Sequence, residues 1–167
     1  QGMTENFRMN RLLMWIQPEN YSSGIGYQTV QGLYAIGSGG LFGKGLGKSL
    51  QKLGFIPESQ NDMIFSIICE ELGLFGAMCI ILVFALMLWR IIHIAQNAPD
   101  LFGTMLAAGV FAHVAVQVVL NIAVVTNFIP NTGVSLPFIS YGGTASFFLL
   151  LEMGIVLNIS SKIRLER

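Results

Sequence analysis

The chain has 167 residues, 53% of them hydrophobic and only 11% charged, with nine basic and nine acidic side chains and a formal net charge of zero. A mean hydropathy of +0.66 excludes an ordinary soluble domain, in which about a quarter of the residues are charged. With no dense basic run, the chain also lacks the footprint of a nucleic-acid binder. Gln1 is not an initiator and no secretory signal follows it, so the chain reads as a fragment.

Residues 1–20 place Arg8, Arg11, Met14 and Trp15 ahead of Pro18, which suits a short interfacial helix or the tail of a preceding span. A short helix is expected over residues 27–36, followed by the glycine-dense run GSGGLFGKGLGKSLQKLG. Glycines mixed with Lys and Ser can cradle phosphate through backbone N–H groups, but the spacing is not that of a nucleotide-binding P-loop. Lys44, Lys48 and Lys52 recur every fourth residue, which on a helix would align three cations on one face, either solvated or facing an anion.

Residues 55–77, FIPESQNDMIFSIICEELGLFGA, carry four of the nine acids: Glu58, Asp62, Glu70 and Glu71. Ser59, Asn61 or Asp62 is placed to cap a helix whose first N–H groups need acceptors. Counted along that helix, Glu70 lies on the side of Asp62 and about 12 Å deeper, whereas Glu71 points the other way. Glu70 and Glu71 then fall inside the apolar run, where ionisable groups are costly and face protein or a polar cavity. Glu70 shares its stripe with the small residues Gly73 and Ala77, so this stripe is expected to face a neighbouring helix. Cys69 and Cys79 lie too far apart on the same helix to bridge and read as packing residues.

The first membrane span is expected over about residues 63–92, with Trp89 as an interface anchor and Arg90 and His93 beside it. A connection broken by Pro99 leads to a second span over about 101–125, on which Gly109, His113, Gln117 and Asn121 repeat every fourth residue as a polar stripe. The loop 127–142 contains Pro130, Pro137, Gly133 and Gly142, so it is not helical, and backbone of this kind at membrane depth must be buried in protein or line a wet cavity. Ser140 and Tyr141 are expected to be buried and hydrogen-bonded there. A third span over about 143–159 carries Glu152 and ends in SSKIRLER. Lys162, Arg164 and Arg167 place the C-terminus in the cytoplasm by the positive-inside bias, and Arg90 agrees. The fold class is therefore all-α, a polytopic transmembrane bundle with three spans. Residues 1–61 form an extracytoplasmic loop with short helices, and Asp62 lies at the outer face.

The blocks GSGGLFGKGLGKSLQKL, PESQNDMIFSIICEELGLFG and P-x-T-G-x-x-L-P-F-I-S-Y-G-G occur in the order in which the SEDS family of bacterial cell-wall proteins carries them. The chain resembles that family, which includes FtsW, RodA and SpoVE, over nearly its whole length. Members have about ten spans, so the resemblance implies a large outer loop and the last three. It also implies the family's activity, polymerisation of lipid II into peptidoglycan glycan strands, in a bacterial plasma membrane. A class B penicillin-binding transpeptidase is the implied protein partner. The acid of the family's H-T-D-F-I-F block falls on Asp62, with Gln60 and Asn61 in place of the usual His and Thr. Glu70 and Glu71 match the family's E-E-L-G, and Gln117 and Asn121 match its Gln and Asn before the proline-rich loop.

The chemistry expected of such a site is general-base catalysis by Asp62 on a sugar hydroxyl. Lys44, Lys48, Lys52, Glu58, Glu70, Gln117, Asn121, Ser140 and Tyr141 are the expected substrate contacts. No cofactor is evident beyond a divalent cation that could accompany the diphosphate. The competing readings are a lipid II flippase, with Glu70, Gln117 and Asn121 along its path, and a scaffold for the partner transpeptidase.

Overall fold

The computed structural model describes residues 13, 15, 16, 25–49 and 61–163, and among these every regular element is helical. They are α1 (Ile25–Ser38), α2 (Ile64–Gln96), α3 (Leu101–Val125) and α4 (Gly143–Lys162). The last three are long and apolar enough to cross a membrane, as the composition predicts. Asp100 caps α3, its carboxylate accepting from the Gly103 N–H at 3.1 Å, the arrangement a helix start favours.

The spans pack in chain order, α2 against α3 and α3 against α4, with α1 laid on the start of α2. On α3 the buried seam is Gly103, Ala107, Val110, Val114, Val118, Asn121 and Val125. Its small and β-branched side chains let the neighbouring backbones approach closely, as helices in lipid require. Phe84, Ile91, Ile94 and Ala95 of α2 and Leu149, Val156 and Ile159 of α4 complete the core. The outward faces carry Leu82, Leu86, Met105, Val119, Phe148 and Leu157, each more than half exposed, a surface that suits lipid or further helices. The polar stripe on α3 does not hold together as a stripe. A four-residue repeat drifts about 40° per step on a helix with 3.6 residues per turn, so Asn121 is buried in the seam while His113 and Gly109 are exposed.

α1 presents its smallest residues to α2: Gly26, Thr29, Gly32 and Ala35 are buried. A Cβ at Gly32 would stand 3.1 Å from the Ser66 Oγ. Beyond α1, residues 39–49 form turns and bends with positive φ at Gly40, Gly43, Gly45 and Gly47. The helical face expected to align the lysines is therefore absent at Lys44 and Lys48, and Lys52 lies outside the described residues.

α2 is broken at Gly73, whose φ of 70° and ψ of −168° are not helical. At about 1.5 Å per residue, residues 74–96 alone extend about 35 Å, enough for about 30 Å of hydrocarbon. Glu70 and Glu71 precede the break, so they need not lie within the lipid, contrary to what the unbroken apolar run implies. The stripe of Glu70, Gly73 and Ala77 is buried against protein.

Candidate active site

Five pieces of chain meet at one end of the bundle: α1, the glycine loop, the start of α2, the end of α3 and the loop 127–142. Asp62 and Asn121 meet there, as do Glu70 and Lys44.

Asp62 sits in a turn just ahead of α2 and is partly buried. The N-cap position falls on Met63 and has no side-chain cap, and the Met63 carbonyl accepts from the Ser66 N–H at 3.1 Å. The Asp62 carboxylate meets the Gln28 amide of α1 at 3.4 Å. Its backbone is held from the other side, because the Asn121 Nδ2 donates to the Asp62 carbonyl and to the Val134 carbonyl, both at 2.8 Å. Asn121 has no exposed surface. It therefore fixes the main chain carrying Asp62 and does not face outward, where a substrate contact would need it. Gln117, one turn earlier, buries its Oε1 with no hydrogen-bond partner among the described residues.

Removing the clamp takes this donor from two partly buried carbonyls, so Asn121→Ala is expected to cost about 2 kcal/mol. Asn121→Asp is expected to cost at least as much, since a carboxylate would face two acceptors with no proton to give. Thermal unfolding of both variants checks this, and an aspartate variant more stable than the alanine one would contradict the clamp.

Glu70 is wholly buried. Its Oε1 pairs with the Lys44 ammonium at 2.7 Å, its Oε2 accepts from the Ser49 hydroxyl, and the Ser38 hydroxyl lies 3.5 Å away. Lys44 also donates to the Ser38 Oγ at 2.9 Å while keeping a third of its side chain exposed. Among the described residues Glu70 therefore has no surface of its own on which to meet a substrate, and Lys44, its partly exposed partner, gives it a route to one. Lys48 is exposed, and Glu58 lies outside the described residues.

In the loop 127–142, Leu136 and Pro137 are buried, and a tight turn closes through Ser140 N–H to the Leu136 carbonyl at 3.1 Å and Leu136 N–H to the Ser140 Oγ at 2.8 Å. Asn131 closes a second turn on the Gly133 N–H at 2.9 Å, and the Trp15 indole donates to the Asn127 carbonyl at 3.0 Å. Ser140 is half-buried and bonded to its own turn. Tyr141 departs from expectation: it is 78% exposed, because the turn at 136–140 turns Leu136 and Pro137 inward in its place.

Gln28, Ser38 and Ser49 are contacts that sequence reasoning missed. Away from this end, the His113 Nδ1 lies 3.0 Å from both Glu152 oxygens, near the middle of α3 and of α4. Among the described residues no group of three or more His, Cys, Asp or Glu side chains is placed to hold a metal ion.

The family profile described as "Cell cycle protein", covering FtsW, RodA and SpoVE, matches residues 2–165. The chain belongs to this family. Among FtsW/RodA/SpoVE members, stage V sporulation protein E of Bacillus subtilis is 48% identical over 92% of this chain and 42% of its own length. The probable peptidoglycan glycosyltransferase FtsW of Trichlorobacter lovleyi is 44% identical over 95% of this chain and 42% of its own. A crystal structure of a RodA point mutant, the rod shape determining protein of Thermus thermophilus, superposes with a TM-score of 0.61 at 30% identity, over 81% of this chain and 41% of that one. A structure described as a peptidoglycan synthase complex shares the fold, with a TM-score of 0.74 at 24% identity over 96% of this chain and 43% of that one. The chain thus spans less than half the length of the FtsW and SpoVE relatives it matches.

Proposed function

We propose that this chain belongs to a peptidoglycan glycosyltransferase that polymerises lipid II, with Asp62 as the general base. The observation that carries the reading is a carboxylate held at one end of a membrane bundle by its own backbone: Asn121 fixes the Asp62 main chain, while the side chain meets Gln28 and stays partly exposed. A base must be positioned before it can be effective.

In the reaction, the 4-hydroxyl oxygen of the acceptor sugar bonds to the anomeric carbon of the donor. The bond from that carbon to the diphosphate oxygen breaks, the hydroxyl proton passes to Asp62, and the diphosphate leaves with the electron pair. Negative charge grows on the leaving group, and a cation there stabilises it. Lys44 is suited to this because its ammonium is anchored by Glu70 and Ser38 while a third of the side chain faces out. Lys48, Lys52, Glu58, Ser140 and Tyr141 remain candidates for binding the rest of the substrate. Relatives named peptidoglycan glycosyltransferase support the reaction class, and the fold shared with a peptidoglycan synthase complex supports a transpeptidase partner of the class B penicillin-binding type. The direct test is glycan-strand synthesis by the full-length protein from purified lipid II, and failure to form polymer under conditions where a positive control does so would sink the assignment.

This function requires the Asp62 end to face away from the cytoplasm. Single cysteines at Thr132 and Ser161, on a background lacking Cys69 and Cys79, are expected to label oppositely with an impermeant thiol reagent in intact cells, Thr132 from outside and Ser161 only after permeabilisation. The reverse pattern would put Asp62 on the wrong side.

A flippase reading draws on a different observation, the His113–Glu152 pair at mid-helix on adjacent spans. Polar groups at that depth suit a translocation path. Glu70 and Asn121, in contrast, are both fully buried, so neither lines such a path among the described residues.

A further inference from the structure

An unbroken helix at Gly73 would pair the Leu74 N–H with the Glu70 carbonyl and the Phe75 N–H with the Glu71 carbonyl. The break opens both bonds and frees four backbone groups. All four are taken by the glycine loop. Leu74 N–H donates to the Gly40 carbonyl at 2.9 Å and Phe75 N–H to the Leu41 carbonyl at 3.1 Å. In return, the Lys44 N–H donates to the Glu70 carbonyl at 3.0 Å and the Gly45 N–H to the Glu71 carbonyl at 2.9 Å. The docking tolerates no side chains at the crossing. A Cβ at Gly39 would overlap the Cys69 carbonyl, one at Gly43 the Glu71 carbonyl, and one at Gly73 the Gly43 nitrogen.

We propose that the Gly73 break and the loop 39–45 form a two-state latch. Closed, the loop threads the break and sets the Lys44 ammonium on Glu70. Open, the loop leaves, Gly73 turns helical, and the four helix groups pair with one another as in any continuous helix. The Leu74 and Phe75 N–H groups and the Glu70 and Glu71 carbonyls are paired in either state, because the two bonds the helix would make are the two the loop replaces. Glu70 is what biases the latch shut, since opening takes the Lys44 ammonium and the Ser49 hydroxyl away from a carboxylate that has no exposed surface. Lys44 belongs to both halves of the device, donating its backbone N–H to α2 and its ammonium to Glu70, so an anion that drew the ammonium outward would favour opening. The latch does not depend on the glycosyltransferase reading and can be measured without lipid II.

Residue-resolved hydrogen exchange on the intact protein in lipid nanodiscs separates the two states. In Gly43→Ala the added methyl blocks docking while leaving α2 untouched. The Lys44 and residue-45 amides are expected to exchange at least tenfold faster, whereas the Leu74 and Phe75 amides keep their protection because the helix closes behind the departed loop. Gly73→Ala, which favours the helical conformation at the break, is expected to give the same pattern. Loss of protection at all four amides in Gly43→Ala would mean that the break persists without the loop, and unchanged protection at all four would mean that the loop does not leave. Either result overturns the proposal.

Discussion

Asp62→Asn is expected to reduce glycan polymerisation about a hundredfold or more while leaving folding and membrane insertion intact. Asparagine keeps the size of the side chain and an oxygen that can accept from Gln28, which lies 3.4 Å from the carboxylate. The backbone clamp acts on the Asp62 carbonyl and survives any change of side chain. Asparagine cannot take a proton at neutral pH, so a general-base step loses its acceptor, an effect typically worth a hundredfold to ten-thousandfold in rate. If Asp62 serves only the electrostatics of the helix start, the loss is about 1 kcal/mol or less in stability, with polymerisation near the parent rate. Polymer yield from purified lipid II, recorded with expression level and melting temperature, separates the two, and parental polymerisation would remove Asp62 from the chemistry.

Lys44→Met is expected to be the most destabilising single change among the charged groups, at about 3 kcal/mol. It takes the ammonium at 2.7 Å away from the fully buried Glu70 carboxylate, and breaking a buried pair from one side typically costs about 3–5 kcal/mol. The exposed third of Lys44 argues for the lower end of that range. Adding Glu70→Gln to this variant removes the buried charge while keeping an oxygen for the Ser49 hydroxyl, so the double variant is expected to recover part of the loss. Melting temperatures of the two single variants and the double variant form the cycle that checks it. A double variant less stable than Lys44→Met would mean that the carboxylate is compensated by something other than Lys44.

What the sequence revealed and what it hid divide along a physical line. Hydropathy over 18 or more residues is a strong, local signal, and it made the three membrane helices and the all-helical class legible. Glu70, Gly73 and Ala77 are each buried, as expected, but the break at Gly73 means that they do not share one continuous helical face. The glycine loop was not legible. Its partners are the carbonyls and N–H groups of α2, which exist at every residue and leave no mark in the sequence, so the spacing that rules out a nucleotide-binding loop says nothing of the close backbone contact the glycines serve. The four-residue spacing of the lysines misled because it assumed a helix that positive-φ glycines forbid. A lone glycine in a membrane helix is common enough that nothing singled out Gly73 as a break. Gln28 and Ser49 are ordinary polar residues until the fold brings them to Asp62 and Glu70, and His113 and Glu152 become a pair only when α3 and α4 are laid side by side.

The contacts of Asp62 with Gln28 and Asn121 have a bearing on how the protein is made. Gln28 lies 34 residues before Asp62 and Asn121 lies 59 after it. As the chain leaves the ribosome, α2 is threaded into the bilayer while the turn carrying Asp62 still lacks the Asn121 fastening, which arrives only at the far end of the next helix. Contacts that distant in sequence form late, so a nascent or truncated chain ending before residue 121 can hold a correctly inserted α2 and an unset carboxylate. Completion of the site is thereby tied to completion of the helical hairpin of α2 and α3, and membrane insertion alone does not produce it.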